Sequence, residues 1–397
     1  MRKPHAPKLP WRWRVVRWAV GLTAFMIGVG TLPHRWCARE ARGWFTGEPT
    51  LQQRLARGVE HWLDTDLSRA SFTTGSAQFN GEWLFGTYLM AGLGYGQTAL
   101  EHPAWRARNV VLMERCIEHI LTPQVRGFDR ESWKDDPIDT LDGDSDHAAY
   151  LGYLNLLLGL HRALEPDSKY VALNDRITAA LARRLRASRT LLLQTYPHQV
   201  YPADNCAVIA SIGLHDRVTA GTNGPLVAAW LARCRANYLD PRTGLLIQAV
   251  DPDSGRPIDA GRGSGTALGL YFLSFIDRPF AAELFKSLKT ELGDTRLGFA
   301  AVREYPRGTK GGYGDIDSGP VVLGYGVSPT GFALAGCRVF GDAGTFTGLY
   351  SLAHLVGAPR DQDGARHYVT GGPLGDAILF AMLTAQPELR LETKPAP

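Results

Sequence analysis

The sequence predicts an all-α protein, an (α/α)6 toroid behind an N-terminal transmembrane anchor. Three observations lead there. About twelve segments beyond residue 45 repeat apolar residues at i, i+3, i+4 and i+7, the helical period, between turns rich in Gly, Pro and Asp. Alternate segments differ in character, one set nearly free of charge and the other carrying Arg, Lys and Glu on one face. Strand patterns are thin, confined to 244–250 and 298–302.

Taken in order, the basic stretch 1–17 holds Arg2, Lys3, Lys8, Arg12, Arg14 and Arg17 with no acid. It runs into an uncharged segment, 18–32, flanked by Trp11, Trp13, Trp18 and Trp36. A positive end followed by an apolar run predicts a cytoplasmic segment at 1–17 and an anchor over 18–36. The lack of small residues before Cys37 favours an uncleaved anchor in the inner membrane, with the body in the periplasm; secretion after signal cleavage is the alternative. The barrel domain is expected over 45–390. Its apolar, inner helices begin near Glu82, Asp146, Asp204, Gly265 and Pro320, and charged, outer ones cover 105–122, 169–187, 223–237 and 279–291. The segments 51–65, 343–355 and 373–385 complete six pairs. A helical solenoid would need a repeat of fixed period, and none is visible.

Composition narrows the partners. The 397 residues are 45% hydrophobic and 21% charged, enough for a large core. The formal charge of +4 comes from the basic start, so the rest of the chain is slightly acidic and nucleic acid is not an expected partner. The five cysteines are widely spaced, without CxxC or Cys/His metal spacing, and no nucleotide motif is present; no metal and no cofactor are expected.

Chemistry concentrates where loops meet inner helices. Asp144-Ser145-Asp146-His147 follows an acidic loop containing Asp129, Glu131, Asp135, Asp136 and Trp133. Tyr196 and Tyr201 each precede a proline, which holds them extended ahead of Asp204-Asn205. Asp315 and Asp317 alternate around Ile316, so an extended backbone projects both to one face, and Ser318 or Asp317 would cap a helix with Pro320 in its first turn. Glu82-Trp83 opens another inner helix. These patterns nominate Asp204 and Asp317 as an acid/base pair, with Asp315, Asp146 and Glu82 supporting. Tyr196, Tyr201, Trp133, Tyr305, His147, Asn205 and Tyr153 are the candidate substrate contacts. Each acid also has a bland role, as a helix cap or a solvated loop charge. The glycine-rich run 308–314 lacks Walker spacing and reads as a rim loop.

Several of these motifs, in this order, resemble the linalool dehydratase/isomerase-like domain family. They include Asp136-Pro137-Ile138, the helix from Tyr150 to Leu160, Asp204-Asn205-Cys206, Leu239-Asp240-Pro241-Arg242-Thr243-Gly244 and Val302-Arg303-Glu304. The resemblance implies an (α/α)6 fold. Aligned on it, the family's active-site histidine falls at Tyr153 and its two cysteines at Asp204 and near Thr195, so the chemistry of that residue set is replaced here. Three readings follow. The first is carboxylate acid/base catalysis on a hydroxylated substrate, a glycan in a glycosidase-like enzyme, which needs two carboxyl groups flanking the bond. The second is a lyase or isomerase acting on a small apolar alcohol, which needs a closed apolar cavity. The third is a non-catalytic membrane-anchored binding module, in which no two carboxyl groups would face each other.

Overall fold

The computed structural model describes residues 10–309, 314–315 and 318–386. After the long N-terminal helix α1 (Trp11–Cys37) and the short α2 (Ala41–Thr46), helices alternate between two layers. The outer layer is α3 (Pro49–Asp64), α5 (Arg106–Ile120), α8 (Val171–Ala187), α10 (Gly224–Asn237), α12 (Arg278–Leu292) and α14 (Ala343–Gly357). The inner layer is α4 (Ala77–Glu101), α7 (Ala148–Leu164), α9 (Pro202–Thr219), α11 (Gly263–Leu273), α13 (Val327–Phe340) and α15 (Gly372–Leu383). A further short helix, α6 (Gly127–Trp133), lies in the α5–α7 connection.

Each inner helix packs on the next, and α15 returns to α4, so the ring is closed. Neighbouring inner helices are parallel: a Cβ added at Gly86 or Gly94 of α4 would meet Leu374 or Phe380 of α15, and one at Gly152 or Gly159 of α7 would meet Val208 or Leu214 of α9. Glycine permits this closeness. A side chain at Gly94 would stand 2.3 Å from the Phe380 ring, closing the seam where the chain's ends join. α3, first of the barrel helices in sequence, pairs with α15, the last, and so completes the sixth hairpin.

The alternation expected from sequence is therefore present, with shifted boundaries. The helix expected from Pro320 begins at Val327, because residues 321–326 form a small hairpin, β3 (Val321–Val322) with β4 (Tyr325–Gly326). The α4 helix starts at Ala77, leaving Glu82 in its second turn. The strand expected at 244–250 makes isolated bridges only, whereas 298–302 contributes to a hairpin, β1 (Gly293–Arg296) with β2 (Phe299–Val302). A third hairpin, β5 (Pro359–Gln362) with β6 (Ala365–Tyr368), was not expected from sequence; it turns at Asp363-Gly364.

Because inner helices are parallel, their N-termini share one end. There the connections are long (121–147, 188–201, 238–262, 293–326), while at the other end they are short (165–170, 220–223, 274–277). The long loops build the mouth of a cup. α1 stands outside the barrel; it is long and apolar enough to cross a membrane, and no residue of its most apolar stretch, of mean hydropathy 1.6, is buried.

Candidate active site

Asp204 lies in the first turn of α9, where Pro202 starts the helix without needing its missing N–H. Its carboxylate caps nothing. Instead Oδ1 accepts from the Tyr153 hydroxyl at 2.7 Å and Oδ2 from the Thr195 hydroxyl at 2.6 Å. Burial pushes this carboxyl above the ordinary aspartate value, opposed in part by those two hydrogen bonds. Beneath it, the Tyr153 ring meets Phe272 edge-on at 5.0 Å and Phe85 at 6.4 Å, an aromatic floor drawn from α7, α11 and α4.

Glu82 projects from α4 and accepts from the Tyr196 hydroxyl at 2.6 Å. Consecutive loop residues, Thr195 and Tyr196, thus hold the two carboxylates of α9 and α4. The loop itself is pinned from below. Asn205 accepts from Leu193 N–H at 2.7 Å and donates to the carbonyls of Leu193 and Tyr201. Asp146 accepts from Gln194 N–H at 2.9 Å, and the Trp133 indole donates to the Thr195 carbonyl at 3.2 Å.

These bonds correct several expectations. Asn205 is fully buried and serves the backbone, so it does not contact substrate. Asp146 is a loop anchor; burial raises its pKa, opposed by the Gln194 N–H and by Arg184. His147, 0% exposed, has left-handed φ (+49°) and is enclosed between Asp129 and Asp135, with the Trp133 ring against it at 5.0 Å. It reaches no substrate, and the acidic loop around it is more than solvated charge: Asp129 is buried and its carboxyl raised by that burial despite His147. Tyr196 and Tyr153 are buried holders of carboxylates rather than stacking platforms. Trp133 is half-buried and engaged with the loop.

Asp315 is also reassigned. It forms a two-pronged ion pair with Arg262 at 2.6 and 2.8 Å, and caps Ser318 N–H at 3.0 Å. Ser318 donates within this turn and caps no helix. Arg262, buried at the start of α11, binds Glu304 as well, at 2.8 Å, and lies under the Tyr305 ring at 5.2 Å. Burial raises the Glu304 carboxyl, opposed by Ser264 and Arg262. Asp317 and residues 310–313 of the glycine-rich loop lie outside the described residues. Tyr201 and Tyr305 remain half-exposed on mouth loops. Thr195, Arg262 and Glu304 escaped nomination. Thr195 was marked only by the family alignment, which brings together the positions 153, 195 and 204 that are here in direct contact.

Fold and site together define a closed ring of helical hairpins with carboxylates held at one mouth. Among solved structures, a family 105 glycoside hydrolase from C. acetobutylicum ATCC 824 is similar in fold, with a TM-score of 0.51 at 11% identity over 76% of this chain and 93% of that one. An unsaturated glucuronyl hydrolase specific for heparin gives 0.49 at 11% identity over 88% and 96% of the two chains. The likeness is one of fold. No family model and no curated protein matches the chain, so the linalool-type resemblance rests on the quoted residues alone.

Proposed function

We propose that the protein is a membrane-anchored, glycosidase-like hydrolase that acts on a glycan outside the inner membrane by carboxylate acid/base catalysis. The observation that carries this reading is the Asp204 clasp. A half-buried carboxyl group whose pKa burial raises above the ordinary aspartate value is suited to hold a proton that an exposed aspartate would lose and to deliver it to a leaving oxygen. Glu82 is the second carboxylate. It accepts a hydrogen bond from the Tyr196 hydroxyl and would take the proton of an attacking water as the glycosidic bond breaks. Water adds to the anomeric carbon, the Asp204 proton goes to the departing sugar, and both carboxyl groups are restored through solvent. Tyr201 and Tyr305 offer half-exposed rings for sugar stacking at the mouth.

The anchor supports the setting. The foot of α1 passes without a linker into buried residues: Cys37, Ala41 and Trp44 are at most 3% exposed. Cleavage beyond the apolar run would cut into the packed body, which favours retention over removal. The aromatic floor favours a second reading, a lyase or isomerase for a small apolar alcohol, with Asp204 protonating the leaving hydroxyl.

The test is product release from a panel of envelope and extracellular polysaccharides, run beside a terpenoid alcohol, with wild type, Asp204→Asn, Glu82→Gln and Asp317→Asn. Sugar release abolished by Asp204→Asn and Glu82→Gln supports the proposal. Alkene formation from the alcohol would replace it with the second reading, and undiminished turnover in both variants would remove these carboxylates from the mechanism.

A further inference from the structure

The β1–β2 hairpin ends in a two-residue turn, Leu297-Gly298, with φ of +50° and +88°. Such a turn requires left-handed backbone at both positions and favours Asn or Asp followed by Gly. The β5–β6 hairpin obeys that preference with Asp363-Gly364, at +51° and +77°. Leu297 defies it twice, with a branched apolar side chain in a left-handed conformation and 71% exposure. Its side chain forms one wall of an apolar groove whose other wall is α1, including Leu22, Met26, Ile27 and Gly30. The contact is close. A Cβ on Gly30 would stand 3.7 Å from Leu297, one on Gly298 would stand 2.6 Å from the His34 ring, and that ring meets Phe299 edge-on at 5.4 Å.

The depth of this groove follows from helix geometry. Trp18 and Trp36, exposed on α1, are separated by about 27 Å of helix, close to the hydrocarbon thickness of a bilayer. Tryptophans at that spacing mark the two interfaces. Gly30 lies about 9 Å from Trp36 toward the apolar middle, and Leu297 lies beside Gly30. The hairpin tip therefore sits on the lipid side of the Trp36 level. Arg296, 73% exposed and 3.7 Å from Asp294, adjoins the tip, and its long stem could extend instead toward phosphate headgroups. The foot of α1 cannot pivot freely away, because Arg366 grips Glu40 at 2.6 and 3.0 Å and Asp361 at 2.7 and 2.8 Å, with the Tyr350 hydroxyl on Glu40 at 3.0 Å.

From this we infer that the Leu297-Gly298 tip is a second, monotopic membrane contact: lipid acyl chains fill the groove between it and α1, and the barrel is held against the bilayer in one orientation. The inference rests on the reading of α1 as a membrane anchor. The molecule supplies its own control in the β3–β4 hairpin, whose tip is Leu323-Gly324 in the same backbone conformation, with Leu323 87% exposed. The antiparallel pairing of Arg303 with Tyr325 turns that tip the opposite way along the strands.

All five native cysteines are buried, so introduced thiols can be labelled selectively in the full chain. An environment-sensitive fluorophore would be placed at Leu297→Cys, Leu323→Cys or Val20→Cys, and the protein reconstituted into phosphatidylcholine/phosphatidylglycerol vesicles with or without nitroxide-labelled lipid. Circular dichroism checks that each variant is folded. Position 297 should be blue-shifted and quenched at least twofold more than position 323, as position 20 is. Equal behaviour at 297 and 323, with position 20 quenched, overturns the hairpin contact and leaves the anchor standing. An unquenched position 20 removes the anchor, and this inference with it. A blue shift at 297 without quenching also overturns it, since a second copy of the chain would then fill the groove instead of lipid.

Discussion

Asp204 is where residue-scale chemistry can be tested most directly. In the proposed role of general acid it must be protonated, so activity should fall as pH rises through its raised pKa. Tyr153→Phe removes one of the two hydrogen bonds that favour the carboxylate, and so moves that alkaline limb to higher pH in a pH–rate profile. Asp204→Asn should lower turnover by about 10²–10⁴-fold. Its effect on stability has the opposite sign. A carboxyl raised in the folded state stabilises the fold most below its unfolded pKa, and that contribution is lost as pH rises toward the folded value. Thermal melts should show Asp204→Asn more stable than wild type at pH 7, with the gain shrinking toward pH 4.

At the scale of elements, the mouth is assembled by buried ion pairs whose two ends are unequal. Arg262 is enclosed at the start of α11, with Glu304 buried behind it and Asp315 43% exposed in front. Arg262→Ala leaves the Glu304 charge buried without its cation and should cost about 3–5 kcal/mol in urea unfolding. Asp315→Ala removes only the exposed partner and should cost under about 1 kcal/mol. Equal losses would show that the clamp works as one unit. The inner ring has a seam of its own. Gly94→Ala drives a methyl group into Phe380 and should destabilise by about 1–3 kcal/mol, because α4 and α15 cannot separate without opening the barrel.

Over the whole molecule, α1 and the barrel meet at a joint that belongs to both. Trp44 is fully buried, and its carbonyl accepts from Arg338, whose guanidinium also reaches Glu101. Removing residues 1–36 should leave the melting temperature of the barrel nearly unchanged and release the protein from membranes. Removing residues 1–48 takes away Glu40 and Trp44 as well, leaving Arg366 and Arg338 short of partners. That truncation should unfold at markedly lower temperature, since loss of one buried tryptophan side chain alone costs about 3–5 kcal/mol.

The amino-acid pattern alone determined the alternation of apolar and amphipathic helices, and with it the ring and the end at which acids collect, because helical period and charge distribution are local properties. The positions of Asp204 and Glu82 at the mouth were legible for the same reason: each sits early in a helix too apolar to face water. What no local pattern could reveal is which polar side chain faces which. Asn205 and Asp146 look like site residues in sequence, yet packing turns them into the loop's supports, because backbone groups buried under a mouth loop must find partners, and His147 is enclosed between two carboxylates. Arg262 and Glu304 are 42 residues apart, and only closure of the barrel sets one charge against the other. The same closure sets the Leu297 tip beside α1, where an apolar side chain in an unfavourable turn acquires a physical reason.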